Sequence, residues 1–90
     1  MTYKLRLSPP AARQYKKLDP SVKSSIQAAL ESLAHQPLSG PKIKRLKGRL
    51  HDYYRYRAGD YRILYAVVQP DRSVYVDYIQ HRKDVYRDAD

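Results

Sequence analysis

Ninety residues with 18 Lys or Arg against 9 Asp or Glu carry a formal net charge of +9, and the chain has no cysteine. Disulfide scaffolds, thiolate metal sites and cysteine nucleophiles are therefore excluded, and the length leaves no room for a second independent core. The hydrophobic fraction of 42% separates the chain from disordered sequences, and its ten aromatic residues are all tyrosine, a ring that serves a core and a hydroxyl that serves water or a ligand.

At the N-terminus, Tyr3, Leu5 and Leu7 alternate with Lys4 and Arg6, which predicts a half-buried strand. Ser8-Pro9 is a helix start: a capping hydroxyl followed by proline at the first helical position. A short helix is expected from there to about Leu18, with Ala12, Tyr15 and Leu18 on one face. Asp19-Pro20 repeats the start signal. The second helix places Val22, Ile26, Ala29, Leu30 and Leu33 on a single apolar stripe. Pro37, Gly40 and Pro41 end it.

Beyond residue 42 the period changes to two. Residues 43–46 and 53–57 are strand candidates, and Ala58-Gly59-Asp60 is a tight turn. Residues 61–69 form the most apolar segment and predict a central strand covered on both faces for much of its length. Pro70-Asp71-Arg72-Ser73 turns the chain into a last strand over residues 74–79. Residues 81–87 end the chain as a short helix or an ordered tail. The expected fold is α+β, in the order β-α-α-β-β-β-β. It is a single domain over residues 1–90 with a small, mostly antiparallel sheet and the two N-terminal helices on one face.

The longest apolar run, residues 63–68, is too short to span a bilayer, and no secretory leader is visible, so a cytoplasmic protein is expected. The charge is concentrated in the middle of the chain. Residues 1–40 sum to +4, residues 41–62 to +6 and residues 63–90 to −1. A cationic stripe of this kind fits a polyanion, and a solvated surface is its bland alternative.

Several chemistries find no support. Gly40, Gly48 and Gly59 make no phosphate-binding loop, and His35, His51 and His81 have no metal-ligand spacing, so neither metal nor cofactor is expected. The second helix, with Lys23 and Glu31 as its charges, does not suit a DNA-recognition helix. What remains is the sheet. Period two puts Tyr53, Arg55 and Arg57 on one face, and Arg62 opens the next strand across the turn. His81, Arg82 and Tyr86 follow the last strand. Guanidinium groups clamp phosphate, tyrosines stack on unpaired bases, and histidine moves a proton near neutrality. Those are the parts of a metal-free RNA cleavage. Each residue also has a structural alternative: Arg62 can pair with Asp60 or Asp77, Arg57 can brace the hairpin, His81 can cap, Tyr86 can anchor the tail, and Tyr61 and Tyr65 belong to the core.

Three blocks, Leu46-Lys47-Gly48, Tyr54-Arg55-Tyr56-Arg57-Ala58-Gly59-Asp60-Tyr61-Arg62-Ile63-Leu64-Tyr65 and His81-Arg82-Lys83-Asp84-Val85-Tyr86, give the chain a resemblance over its whole length to the RelE family of the RelE/ParE toxin superfamily. The resemblance implies the toxin of a type II toxin–antitoxin pair. Its activity would be metal-independent cleavage of mRNA in the ribosomal A site by the 2′-hydroxyl, inhibiting translation. The last block resembles the RNA-cleaving branch. Arg62 matches the arginine that stabilises the transition state, Arg55 a cationic strand position and Tyr86 a tyrosine that orients substrate. His81 and Arg82 fall in the segment that supplies proton transfer or phosphate contacts. Lys44, Arg45, Lys47, Arg49, Tyr53, Arg57 and Arg82 are the expected RNA- or phosphate-binding residues. Tyr53 and Arg55 stand where well-known members carry two lysines. Arginine stays protonated, so His81 is the residue left for proton transfer. The resemblance also implies a cognate antitoxin alongside the ribosome and mRNA. Two alternatives stay open: a ParE-like topoisomerase-inhibiting toxin without nuclease activity, and a non-catalytic RNA- or ribosome-binding module.

Overall fold

In the computed structural model, which describes residues 2–84, Lys4–Leu7 (β1) leads into Pro9–Lys16 (α1) and Pro20–His35 (α2). The strands Ile43–Arg45 (β2), Tyr53–Ala58 (β3), Tyr61–Val68 (β4) and Ser73–His81 (β5) follow. Single 3₁₀ turns span Gly48–Leu50 and Arg82–Asp84. The five strands form one sheet in the order β1-β5-β4-β3-β2. Three of the pairings are antiparallel, and β1 joins β5 in parallel after the chain has crossed through both helices.

Both helices begin as their residues dictate. Ser8 has extended backbone, and its Oγ accepts the Ala11 N–H at 3.1 Å, while Pro9 occupies a position with no N–H to satisfy. Asp19 caps α2 through backbone geometry, its acidic side chain beside the positive end of the helix dipole. Ile26, Ala29, Leu30 and Leu33 of α2 are buried and recur with helical spacing, so one stripe of the helix meets the sheet. On α1 the buried residue is Ala11 rather than Ala12.

The helices cover one sheet face. Their buried residues form a single cluster with Ile63 and Tyr65 of β4 and with Val74, Val76 and Ile79 of β5. Fully burying each of the larger aliphatic side chains stabilises the fold by about 1.5–3 kcal/mol. Tyr65 is wholly buried and donates its hydroxyl to the Pro37 carbonyl at 2.7 Å, which pins the segment leaving α2. Its ring stacks on Tyr54 with centroids 5.5 Å apart.

The opposite sheet face carries no helix. Here β4 departs from expectation. It is the central strand, but Leu64 and Ala66 are half-buried and Val68 is exposed, because β3 and β5 side chains alone shelter that face. The last strand is also longer than predicted and takes in His81. A register shift between Leu64 and Tyr65 leaves Asp77 as an extra, bulged residue in β5. The backbone groups this bulge frees are met by α1: Ser8 Oγ donates to the Asp77 carbonyl at 2.6 Å, and the Ile79 N–H donates to Gln14 Oε1 at 2.8 Å.

Candidate functional site

The strand registers fix what the helix-free face presents, since cross-strand partners share a face. One row runs Lys44, Arg55, Leu64, Tyr78 from β2 to β5. A second runs Arg57, Arg62, Gln80. A third runs Tyr53, Ala66, Tyr75 and reaches Arg6 of β1. The result is a field of cations and phenols. Two cation pairs, Lys44 with Arg55 and Arg57 with Arg62, sit directly opposite each other, an arrangement that costs stability in the free protein.

At the β3–β4 hairpin these cations meet a hollow. A cleft of ≈ 190 Å³ is lined by Arg57, Gly59, Asp60, Tyr61, Arg62 and Arg82. Gly59 makes the tight reversal with φ of +61°, a conformation that costs glycine nothing. The Arg82 N–H donates to the Asp60 carbonyl at 2.7 Å, and Arg82 Nε lies 3.8 Å from the Asp60 carboxylate, so the residues after β5 are tied back onto the hairpin. A neighbouring hollow of ≈ 280 Å³ is lined by Arg55 and Arg57 with Lys42. Three guanidinium groups around one small cleft can hold a phosphate and neutralise charge that builds on it.

The residues singled out in the sequence do not all converge. Lys44, Tyr53, Arg55, Arg57 and Arg62 share the helix-free face, and Arg82 joins the cleft at its edge. Arg45 alternates to the other face, where Nε donates to the His51 carbonyl at 3.1 Å and the guanidinium lies 5.8 Å from the Tyr54 ring centroid. Lys47 and Arg49 sit in the β2–β3 connection, at the end of the sheet away from the hairpin cleft. His81 pairs with Tyr61, not with Arg62, and its ring meets Tyr61 edge-on at 5.0 Å. Tyr61 lines the cleft, so the imidazole stands behind one cleft wall. The Lys83 N–H donates to His81 Nδ1 at 3.1 Å, which leaves Nε2 to carry the proton of the neutral ring. Tyr86 lies outside the described residues. Among the described residues no group of three His, Cys, Asp or Glu could hold a metal ion. No helix among them is long and apolar enough to cross a membrane.

Sequence reasoning passed over Tyr75, Tyr78 and Gln80 on this face and named Asp77 only as an alternative partner for Arg62. Asp77 is the only acidic residue within the five strands among the described residues. Its carboxylate is hydrogen-bonded by the Tyr53 hydroxyl, which crosses above the small Ala66 side chain from two strands away. The Tyr53 phenol is pushed above its ordinary value of 10.0, first by burial and then by the Asp77 carboxylate, so it stays protonated and donates. A signal for the bulge was present: buried valines at 74 and 76 are followed by isoleucine at 79, an interval of three where a regular strand has two.

Comparison with known proteins places these features in a family. Residues 5–86 match the model described as the ParE toxin of the type II toxin–antitoxin system parDE. The chain is 31% identical over 88 residues to Toxin RelG of Mycobacterium tuberculosis, covering 97% of this chain and 99% of that one. The structure of the toxin–antitoxin complex RelBE2 from M. tuberculosis contains a chain that superposes with a TM-score of 0.81 at 26% identity, over 91% of this chain and all of that one. A chain of the archaeal RelE–RelB complex from Pyrococcus horikoshii superposes with a TM-score of 0.78 over 94% of this chain and 100% of that one; at 24% identity it speaks for the fold.

Proposed function

We propose that this chain, which belongs to the RelE/ParE family of toxins from type II toxin–antitoxin systems, is a ribosome-dependent mRNA endoribonuclease that halts translation and is held in check by a cognate antitoxin. The observation that carries the reading is the hairpin cleft of ≈ 190 Å³, where Arg57, Arg62 and Arg82 converge beside a tyrosine-bearing sheet face.

In this reading the scissile phosphate enters the cleft and the neighbouring base stacks on the tyrosines of the open face. The 2′-hydroxyl oxygen attacks phosphorus, and Arg62, with Arg57 and Arg82, stabilises the charge that develops on the phosphoryl oxygens. The P–O5′ bond breaks as a cyclic phosphate forms. Protonation of the departing oxygen by His81, which stands behind Tyr61, would require the imidazolium, with Nδ1 released from the Lys83 N–H that it accepts in the neutral ring. No metal is needed for this route. The antitoxin would cover the same cationic face with acidic side chains, as the complexes among the structural neighbours lead one to expect for this chain.

The test is primer extension on mRNA translated in a purified system, with and without ribosomes. Wild type is expected to cut within codons when ribosomes are present, and Arg62→Ala to lose the cuts while keeping its fold and ribosome affinity. Intact mRNA with continued translation would refute the nuclease. The ParE description of the matching family model favours one second reading, a toxin acting on a topoisomerase, and inhibition of DNA supercoiling by the purified protein would establish it.

A further inference from the structure

We propose that Tyr75, Asp77 and Tyr78 form a slot on the open face that holds one unpaired base of the mRNA and selects guanine. The slot rests on the nuclease reading above and adds to it a part of the substrate that is recognised away from the scissile phosphate.

The bulge builds the slot. Tyr75 and Asp77 face the open side by ordinary alternation with Val74 and Val76, which are buried under the helices. Unbroken alternation would send Tyr78 to the helix side. The register shift brings Tyr78 opposite Leu64 instead, on the open side and next to Asp77. Both rings remain accessible, Tyr75 at 41% exposure and Tyr78 at 37%. Tyr75 lies opposite Ala66 and Tyr78 opposite Leu64, two residues apart on β4. That is roughly 7 Å of strand, twice the stacking distance of about 3.4 Å between bases. Rings rising from these two rows therefore leave room for one base stacked between them. The distortion is held from the other side of the sheet, where Ser8 Oγ donates to the Asp77 carbonyl and Gln14 Oε1 accepts the Ile79 N–H.

Stacking accepts every base, and Asp77 supplies the discrimination. Arg6, Lys44, Arg55, Arg57 and Arg62 make this face a surface for phosphates, and a carboxylate among them is unsuited to that contact. It also repels an acidic protein segment, which favours a base as the occupant at this point. A carboxylate accepts hydrogen bonds and donates none. Guanine presents two adjacent donors, N1–H and N2–H, on its Watson–Crick edge, and the two carboxylate oxygens match them. Adenine and cytosine each offer an amino group beside an acceptor nitrogen. Uracil offers one N–H between two carbonyl oxygens, which the carboxylate repels. Tyr53 donates its hydroxyl to Asp77 across the small Ala66 side chain, which fixes the carboxylate while leaving lone pairs on both oxygens.

The place of the slot suits a neighbouring nucleotide. Its middle is level with Tyr65, three residues along β4 from Arg62 and roughly 10 Å away. With the scissile phosphate in the hairpin cleft, an extended single strand covers that interval in a nucleotide or two.

The experiment is single-turnover cleavage, on programmed ribosomes, of mRNAs that carry guanosine, inosine or uridine at each position of the A-site codon in turn. At one position wild type should cut the guanosine mRNA faster than the uridine mRNA by about 5- to 150-fold, the discrimination of a bidentate contact. Inosine, which keeps N1–H but lacks the 2-amino group, should fall between them. Asp77→Asn should abolish the preference, because the amide replaces one acceptor with a donor. Asp71→Asn, which makes the same change of charge in the β4–β5 turn, should keep it. Tyr75→Ala should slow cleavage of all three mRNAs by about 5- to 150-fold, since stacking does not distinguish bases. A flat wild-type profile, a preference that survives Asp77→Asn, or an equal loss on all three mRNAs in Asp77→Asn would each overturn the slot while the nuclease stands. Normal cleavage by Tyr75→Ala with weakened antitoxin binding would give the rings to the antitoxin and overturn it as well. If wild type cuts none of the mRNAs, the nuclease reading falls and the slot with it.

Discussion

Arg57 and Arg62 face each other across the β3–β4 ladder, two guanidinium groups in direct register on the open side of the sheet. Like charges opposite one another destabilise a sheet by about 0.2–1 kcal/mol, so the free protein carries this pair at a cost that a bound polyanion removes. Arg57 is exposed, and Arg57→Gln is expected to raise the stability of the free protein by about 0.2–1 kcal/mol. The same change should lower the salt slope of RNA affinity by about one. Thermal melts and salt titrations of RNA binding check the two halves. A variant less stable than wild type would show that Arg57 braces the hairpin instead.

The turn between those arginines depends on Gly59. Its φ of +61° is left-handed, and a Cβ built there would meet no atom within 4 Å. The penalty for Gly59→Ala is therefore one of backbone conformation alone, about 1–2 kcal/mol. Gly59→Asn should lose less, because asparagine tolerates this region. Denaturant titration of the two variants ranks them, and equal losses would point to a role for the glycine other than its φ.

The fold was largely legible because the local signals agreed with one another. Ser8-Pro9 and Asp19-Pro20 begin the two helices, Gly59 marks the turn, and the stripe of Ile26, Ala29, Leu30 and Leu33 is the one that meets the sheet. What escaped was non-local. Nothing in the alternation of Leu5 and Leu7 says that β1 will pair in parallel with the far end of the chain. The apolar character of Leu64, Ala66 and Val68 predicted a covered face, whereas tyrosine and arginine side chains from the flanking strands shelter it in part. Period two correctly grouped Tyr53, Arg55 and Arg57, because their spacing lies within one strand. It could not place His81 relative to Arg62, which requires the β4–β5 register, or put Tyr78 on the open face, which requires the bulge.

Tyr65 is buried, and its hydroxyl is the donor to the Pro37 carbonyl. Tyr65→Phe leaves that carbonyl without this bond, and a loss of about 1–3 kcal/mol is expected. The phenol also makes stability pH-dependent. Burial first, then Tyr54 and Tyr56, push its ionisation well above the ordinary 10.0. In alkali the unfolded chain releases this proton before the folded protein does, so the unfolded state binds fewer protons and unfolding free energy falls as pH rises. The stability is fully present below pH 10.0 and declines from there toward the folded value. Urea midpoints measured from about pH 8 upward should fall more steeply in wild type than in Tyr65→Phe. Identical slopes would mean that the phenol is not protected in the folded state.

Ser8 joins two features that the sequence presents as unrelated, the start of α1 and the bulge in β5. Its Oγ accepts the Ala11 N–H and donates to the Asp77 carbonyl, and the residue is buried, so water replaces neither bond readily. Ser8→Ala therefore loses a helix cap of about 1 kcal/mol. It also strips the hydroxyl from a carbonyl freed by the bulge, at a further cost of about 1–3 kcal/mol. Gln14→Ala removes the partner of the Ile79 N–H on the other flank. Because both side chains hold the same distortion, the double variant should depart from additivity by about 0.5–3 kcal/mol. Additive stability losses would show that α1 does no more than pack against this strand.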